Sequence, residues 1–234
     1  MKRALTIAGV VTGLLLVILL ALLLYYLGVT AGVRLERDKL TMPTAYVRLF
    51  DRNGNEIPAA VQADATLETL PPHVGQAFVA VEDKRFYEHH GIDTKRVFAA
   101  LWHNLTSFSF KEGASTISQQ LIKNTHLTSE KTIERKLKEF KLARTLEKHY
   151  SKEEILTLYL NSIYFGHSAF GIENAAQFYF GKHAAQLDVA ESAMLAAIVR
   201  SPNRYSPFRD AESCLNRRNL VLSLMKAQGY LDEE

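Results

Sequence analysis

Cysteine is almost missing from this chain, with one residue, Cys214, in 234. An internal disulfide is therefore excluded. With no CxxC pair and no Cys/His cluster there is no zinc signature either, and Cys214 reads as a buried thiol. Charge of one sign is equally scarce, 28 basic residues standing against 25 acidic ones. So balanced a chain has no global field for nucleic acid, and no nucleic-acid partner is expected. Internal repeats and low-complexity segments are lacking as well. At this length there is room for one membrane anchor and one globular domain of roughly 150–200 residues, with no obvious second domain.

A long apolar run is what the N-terminus does have. No charged residue occurs from Ala4 to Val33, and Val10 to Leu27 is nearly all Leu, Val, Ile and Ala, with Tyr25 and Tyr26 near its end. About 20 apolar residues span the hydrocarbon core as a helix, and aromatics favour the interface. Lys2 and Arg3 precede the run, so the positive-inside rule puts the N-terminus in the cytoplasm and the rest outside. A cleaved signal peptide is the competing reading, but its apolar region is normally shorter and no convincing A-x-A site follows before Arg34. The expected division is a cytoplasmic N-terminus over 1–6, a transmembrane anchor over 7–29, a juxtamembrane linker over 30–58 and one domain over 59–234.

Beyond the anchor, Tyr46 to Pro58 alternates apolar and polar residues around Asn53-Gly54, which predicts a strand or hairpin. Pro71-Pro72 stops regular structure, and helical signals dominate thereafter. Val74, Phe78 and Val81 share a face that is expected to end at Gly91. Ser115 or Thr116 caps a helix carrying Ile117 and Leu121 inward. Ile133, Leu137, Phe140 and Arg144 follow a 3.6-residue rhythm. Ser151 with Glu154 makes a capping box, Asp188 with Glu191 makes another start signal, and the last of these helices must finish near Pro202. A mostly α domain with a minor β element follows.

Two strings carry the chemistry. Glu82 to Asp93 (EDKRFYEHHGID) has paired acids, an aromatic and histidines; Gly113 to Asn124 (GASTISQQLIKN) has hydroxyls, paired amides and a lysine. In that order they suggest a carboxylate base followed by a polar cradle for a large, anionic, sugar-bearing substrate. Glu82 follows Phe78 and Val81, apolar neighbours that would ready it as a base, although an isolated Glu-Asp pair is usually an ordinary surface feature. Thr116, Gln120 and Lys123 recur at i, i+4 and i+7 on one stripe, and Ser115 and Thr116 stand at a helix start, where free N–H groups attract phosphate. The bland alternative is a capped amphipathic helix. Arg135, Lys136 and Glu139 are neighbours on a helix, ordinarily a solvated, ion-paired face. Here Lys131 to Lys148 holds seven basic and three acidic residues, a local excess suited to a diphosphate.

Together these strings resemble the peptidoglycan glycosyltransferases, glycosyltransferase family 51, which form the N-terminal module of class A penicillin-binding proteins and also occur as monofunctional transglycosylases. The resemblance runs from about Tyr46 to Tyr230 in five motifs. The first is E-D-x-x-F-x-x-H-x-G, filled by Glu82, Asp83, Phe86, His89 and Gly91. The second is G-x-S-T-I-x-Q-Q-x-x-K-N, with Ser118 where threonine is more usual; the third is R-K-x-x-E. The strings Glu154 to Gly166 and Glu191 to Pro207 complete the set, and from them Asn161, Tyr164 and Arg204 are candidate cleft residues.

What the resemblance implies is a mainly α, lysozyme-like domain with a small membrane-proximal lobe. Its implied reaction polymerises lipid II into a β-1,4 glycan, with inversion and release of undecaprenyl diphosphate. Glu82 would deprotonate the acceptor's 4-hydroxyl and Glu139 is the second essential acid. Asp83, Phe86, His89, Ser115, Thr116, Gln119, Gln120, Lys123, Asn124, Arg135 and Lys136 are the expected substrate-binding residues, with Asp83 and His89 ordering the site and Arg135 and Lys136 steadying the pyrophosphate. No protein metal site and no tightly bound cofactor are expected, though a divalent cation (Mg2+ or Mn2+) can accompany the diphosphate. The implied partners are lipid II, the growing glycan, the membrane and other cell-wall synthesis or division proteins, at a bacterial cell membrane crossed once. Phe108 and Phe110 are expected in a membrane-touching flap. Two rival readings stay open: a lysozyme-like glycan hydrolase, and a non-catalytic cell-wall scaffold. With room for no transpeptidase domain beside it, the chain as given reads as monofunctional or as a fragment.

Overall fold

The computed structural model describes residues 2–40, 49–50, 52, 56–57, 65–107, 115–128 and 130–232. Asn53-Gly54, Phe108 and Phe110 lie outside the described residues. Helices dominate, as the sequence predicts: α1 (Lys2–Thr30), α2 (Pro72–Glu82), α3 (Thr94–Ser107), α4 (Ile117–His126), α5 (Ile133–His149), α6 (Lys152–Ser162), α7 (Ile172–Phe180), α8 (Val189–Val199) and α9 (Ala211–Ala227). Two short strands, β1 (Leu49–Phe50) and β2 (Glu56–Ile57), pair antiparallel with Leu49 opposite Ile57.

Local chemistry explains where the helices begin. Pro72 opens α2 at a position whose N–H would have no partner anyway. Thr116, Ser151 and Asp188 each accept the N–H three residues on, and Gln119, Glu154 and Glu191 reach back in reciprocal capping boxes. Thr132 and Asp210 cap α5 and α9 singly.

The core forms where α2 packs on α8 and α9, and α4 on α5 and α6. Leu195, Ala196, Ala197 and Ile198 of α8 are fully buried, as are Val74, Ala77 and Phe78 of α2. Phe78 sets its ring edge-on to Tyr159 at 6.4 Å and to Phe165 at 6.0 Å, joining α2 to α6 and the segment after it. Cys214 is buried, as expected.

Two sequence expectations fail. The helix begun at Pro72 stops at Glu82, not at Gly91, because residues 83–93 turn back to bring His89 against Asp83. Gly91 instead sits at φ +82° where a Cβ would come within 2.7 Å of the Ala143 carbonyl oxygen, so glycine allows α5 to pass close by. The buried face of α5 is also displaced. Ile133 is 75% exposed, whereas Glu139, Leu142, Ala143 and Leu146 point inward, because α5 turns a carboxylate and not a fully apolar stripe toward α4.

The apolar helix, Gly9–Thr30, is long and apolar enough to cross a membrane. It does not leave the domain through a free linker. Lys141 of α5 donates to the Thr30 carbonyl at 2.6 Å, meeting the negative end of α1. The imidazole Nε2 of His126 lies 3.1 Å from the Glu36 nitrogen and 3.0 Å from its oxygen. Leu40 then enters the core, with Val33 and Leu35 packed against it.

Gly91→Ala should cost about 3 kcal/mol, since it adds both a left-handed alanine and an overlap with α5. Thermal unfolding of the detergent-solubilised protein checks this; an unchanged midpoint would contradict the close approach.

Candidate active site

Glu82 ends α2 and is 8% exposed. Its Oε2 accepts from Gln120 Nε2 at 2.8 Å, and the Tyr159 hydroxyl donates to Gln120 Oε1 at 3.4 Å. Burial, with the Glu82 and Asp83 carboxylates nearby, pushes the Tyr159 phenol well above its ordinary value, so it stays a donor. The chain Tyr159–Gln120–Glu82 fixes the carboxylate through one oxygen only. The other, Oε1, is buried and has no partner among the described residues. A carboxylate held by one oxygen and without a donor at the other is arranged to take a proton.

Asp83 faces away from that role. Its Oδ2 receives His89 Nε2 at 2.8 Å and the Ile117 backbone N–H at 3.0 Å, tying the end of α2 to the start of α4. Thr116, fully buried, donates to the Gly91 carbonyl and caps α4, and Gln119 Oε1 takes the Thr116 N–H. The helix start expected to offer N–H groups to phosphate therefore has these donors occupied by the protein's own oxygens. Behind His89, Glu147 pairs with Lys152 at 2.8 Å and with the Ser118 hydroxyl. Lys152 sits 4.4 Å from the centre of the Phe86 ring. Burial draws the Lys152 ammonium below its ordinary value against the opposing pull of Glu147. Phe86, fully buried here, is placed in the core and not at a substrate surface. Motif position alone did not reveal which way it faces.

Glu139, 1% exposed, is saturated. Oε1 accepts from Gln119 Nε2 at 3.1 Å and from Lys136; Oε2 accepts from Arg135 Nη1 at 2.8 Å. Lys136 also reaches Ser115 Oγ at 3.2 Å. Both cations expected on the pyrophosphate are thus turned onto a buried carboxylate, whose desolvation demands them.

Glu82 and Glu139 nevertheless line one cleft of about 280 Å3, with Ser115, Gln119, Gln120 and Lys123. Its remaining cations are Arg96, Arg200 and Arg217. Arg96 is anchored by donating to the Glu82 carbonyl at 2.8 Å. Asn124 is exposed on the last turns of α4, and Asn161 is engaged elsewhere, donating to the Ala65 carbonyl at 2.8 Å.

A family model described as Transglycosylase matches residues 53–226. Penicillin-binding protein 1F of Bacillus subtilis is 41% identical over 221 residues, 93% of this chain and 31% of that protein. Penicillin-binding protein 1A/1B of the same organism is 42% identical, covering 91% of this chain and 25% of the relative, and penicillin-binding protein 1A of Aquifex aeolicus is 47% identical, covering 72% and 23%. The chain belongs to the Transglycosylase family. It spans less than a third of the length of these relatives.

Sequence motifs did not reveal Arg96, Arg200 and Arg217 as cleft cations. Arg200 closes α8 within the string Glu191 to Pro207 and had a signal in that motif; Arg96 and Arg217 lie in helices with none. Two variants separate structure from binding. Arg135→Ala should destabilise the fold by about 3 kcal/mol, lowering the melting temperature by roughly 10 °C, because it strips a partner from buried Glu139. Lys123→Ala, on an exposed residue at the cleft edge, should leave the melting temperature unchanged and reduce turnover. Equal melting temperatures for both variants would show that Arg135 is not holding Glu139.

Proposed function

We propose that this transglycosylase is a peptidoglycan glycosyltransferase that polymerises lipid II into β-1,4-linked glycan with inversion at the anomeric carbon. One observation carries the reading. A carboxylate with one free oxygen shares a cleft with Lys123, Arg96, Arg200 and Arg217. An inverting transfer from a lipid-diphosphate-linked sugar needs those two things, one base and a cationic seat for the leaving group, and no enzyme nucleophile.

In this mechanism Glu82 Oε1 takes the proton of the acceptor's 4-hydroxyl as its oxygen bonds to the donor's anomeric carbon. The bond to the diphosphate breaks on the opposite face, and the cleft cations stabilise the negative charge that departs. Glu139 keeps Gln119 in register and holds Arg135 and Lys136 in place, a structural and electrostatic role. Among the described residues no group of three His, Cys, Asp or Glu side chains is placed to hold a metal ion, so any Mg2+ or Mn2+ would be held chiefly by the substrate diphosphate.

The hydrolase reading requires a protonated carboxylic acid opposite the base. Glu139 does not suit it, because two cations and an amide already occupy its oxygens. The scaffold reading gives no reason for a buried, half-bonded Glu82. Lys2 and Arg3 favour a cytoplasmic N-terminus and a domain outside, at the surface where a polyprenyl-linked donor resides. Other cell-wall synthesis proteins are the fitting partners there. Phe98 and Trp102, each 72% exposed and one turn apart on α3, suit the same bilayer surface.

Glu82→Gln should lower the rate of lipid II polymerisation about 10²–10⁴-fold with the melting temperature unchanged, since it removes a general base and little volume. A variant retaining more than about a tenth of the wild-type rate would remove Glu82 from the mechanism.

A further inference from the structure

Arg217 serves two surfaces. It lines the cleft with Glu82 and also an adjoining open groove of about 320 Å3 formed with Arg204, Tyr205, Ser213, Asn216 and Leu220. Ser213, Asn216, Arg217 and Leu220 recur at i, i+3, i+4 and i+7, so a single stripe of α9 makes one wall. The segment after α8 supplies the other.

Tyr205 organises the charge of this groove. The Arg204 and Arg217 guanidinium groups lie 5.5 and 5.1 Å from its ring centre, so one aromatic face system steadies two like charges. No ion pair with a carboxylate forms at either guanidinium among the described residues. Asp210, whose carboxylate also feels the Arg204 charge, accepts from the Ser213 N–H at 2.9 Å. The Nε of Arg217 is buried and unpartnered, although Nε is one prong of the fork that grips a carboxylate.

We propose that this groove receives the acidic peptide arm borne by the substrate's muramyl sugar. The inference rests on the glycosyl-transfer reading and names the part of the substrate that this side of the site selects. Arg204 and Arg217 take a peptide carboxylate, Asn216 and Ser213 meet peptide amides, and Leu220 lies against an aliphatic side chain. A diphosphate would not call for Leu220. Because Arg217 is common to both surfaces, the ligand must continue from the cleft, as a substituent branching from a bound sugar does.

The test uses the full-length protein in detergent, as wild type and Arg204→Gln, with lipid II bearing free peptide carboxylates and with the same lipid amidated at them. On the free acid, Arg204→Gln should raise KM about fivefold to tenfold, the effect of one charge-assisted bond, with kcat within about twofold. On the amidated lipid the two proteins should share one KM. Equal KM changes on both lipids, or none on the acid, would overturn the proposal. Equilibrium titration with soluble muramyl pentapeptide reads the groove without turnover. Saturable binding by the wild type, weakened by Arg204→Gln and by amidation, supports the groove even if no polymer forms, in which case only the glycosyl-transfer reading fails. No binding by the wild type overturns the groove even if polymer is made.

Discussion

A carboxylate withdrawn from water must be met by donors or opposite charge, and the middle of this domain is organised by that requirement. Asp83, Glu139 and Glu147 are each taken into the interior, and each recruits partners from a different helix. Asp83 draws the start of α4 to the end of α2. Glu139 draws the Gln119 amide from α4 to α5. Glu147 draws Ser118 of α4 and Lys152 of α6. The α2–α4–α5–α6 assembly is thus fixed by polar bonds whose breakage would strand a charge, which costs more than the bonds themselves contribute.

Against this background Glu82 and Asp83 each keep one buried oxygen without a donor, and of the two only Glu82 lines the cleft. The neighbours of Glu82 satisfy one oxygen and leave the second without a donor. A fold that could have supplied a further amide or cation there would have been more stable and chemically inert. Stability is traded for reactivity at one atom, while the surrounding network holds that atom still. The same division separates the cations: Arg135 and Lys136 belong to the protein, and Lys123, Arg200 and Arg217 face the cleft.

How much was legible in the sequence follows from the range of each interaction. The caps at Thr116, Ser151 and Asp188 were readable because each is a bond between residues three apart, and the apolar run needed only its length. The destination of Arg135 and Lys136 was not readable. A base three or four residues from an acid can serve water, the acid or a ligand, and only the depth of Glu139 decides. Phe86 shows the same limit, since belonging to a motif does not tell whether a ring points into the cleft or the core. Arg96 and Arg217 come from α3 and α9 and meet only through the tertiary packing of α2, α8 and α9.

The α5 lysine that meets the end of the apolar helix has a mechanical consequence. With Lys141 on the Thr30 carbonyl and Leu40 sunk in the core, no swivel separates helix from domain. Where such a helix stands in a bilayer, its tilt and its rotation about its own axis become those of the domain. The height and compass bearing of the cleft above the lipid are then set by the helix itself. Inserting a single residue after Thr30 would turn the domain by about a hundred degrees, were the helix to continue through the insertion.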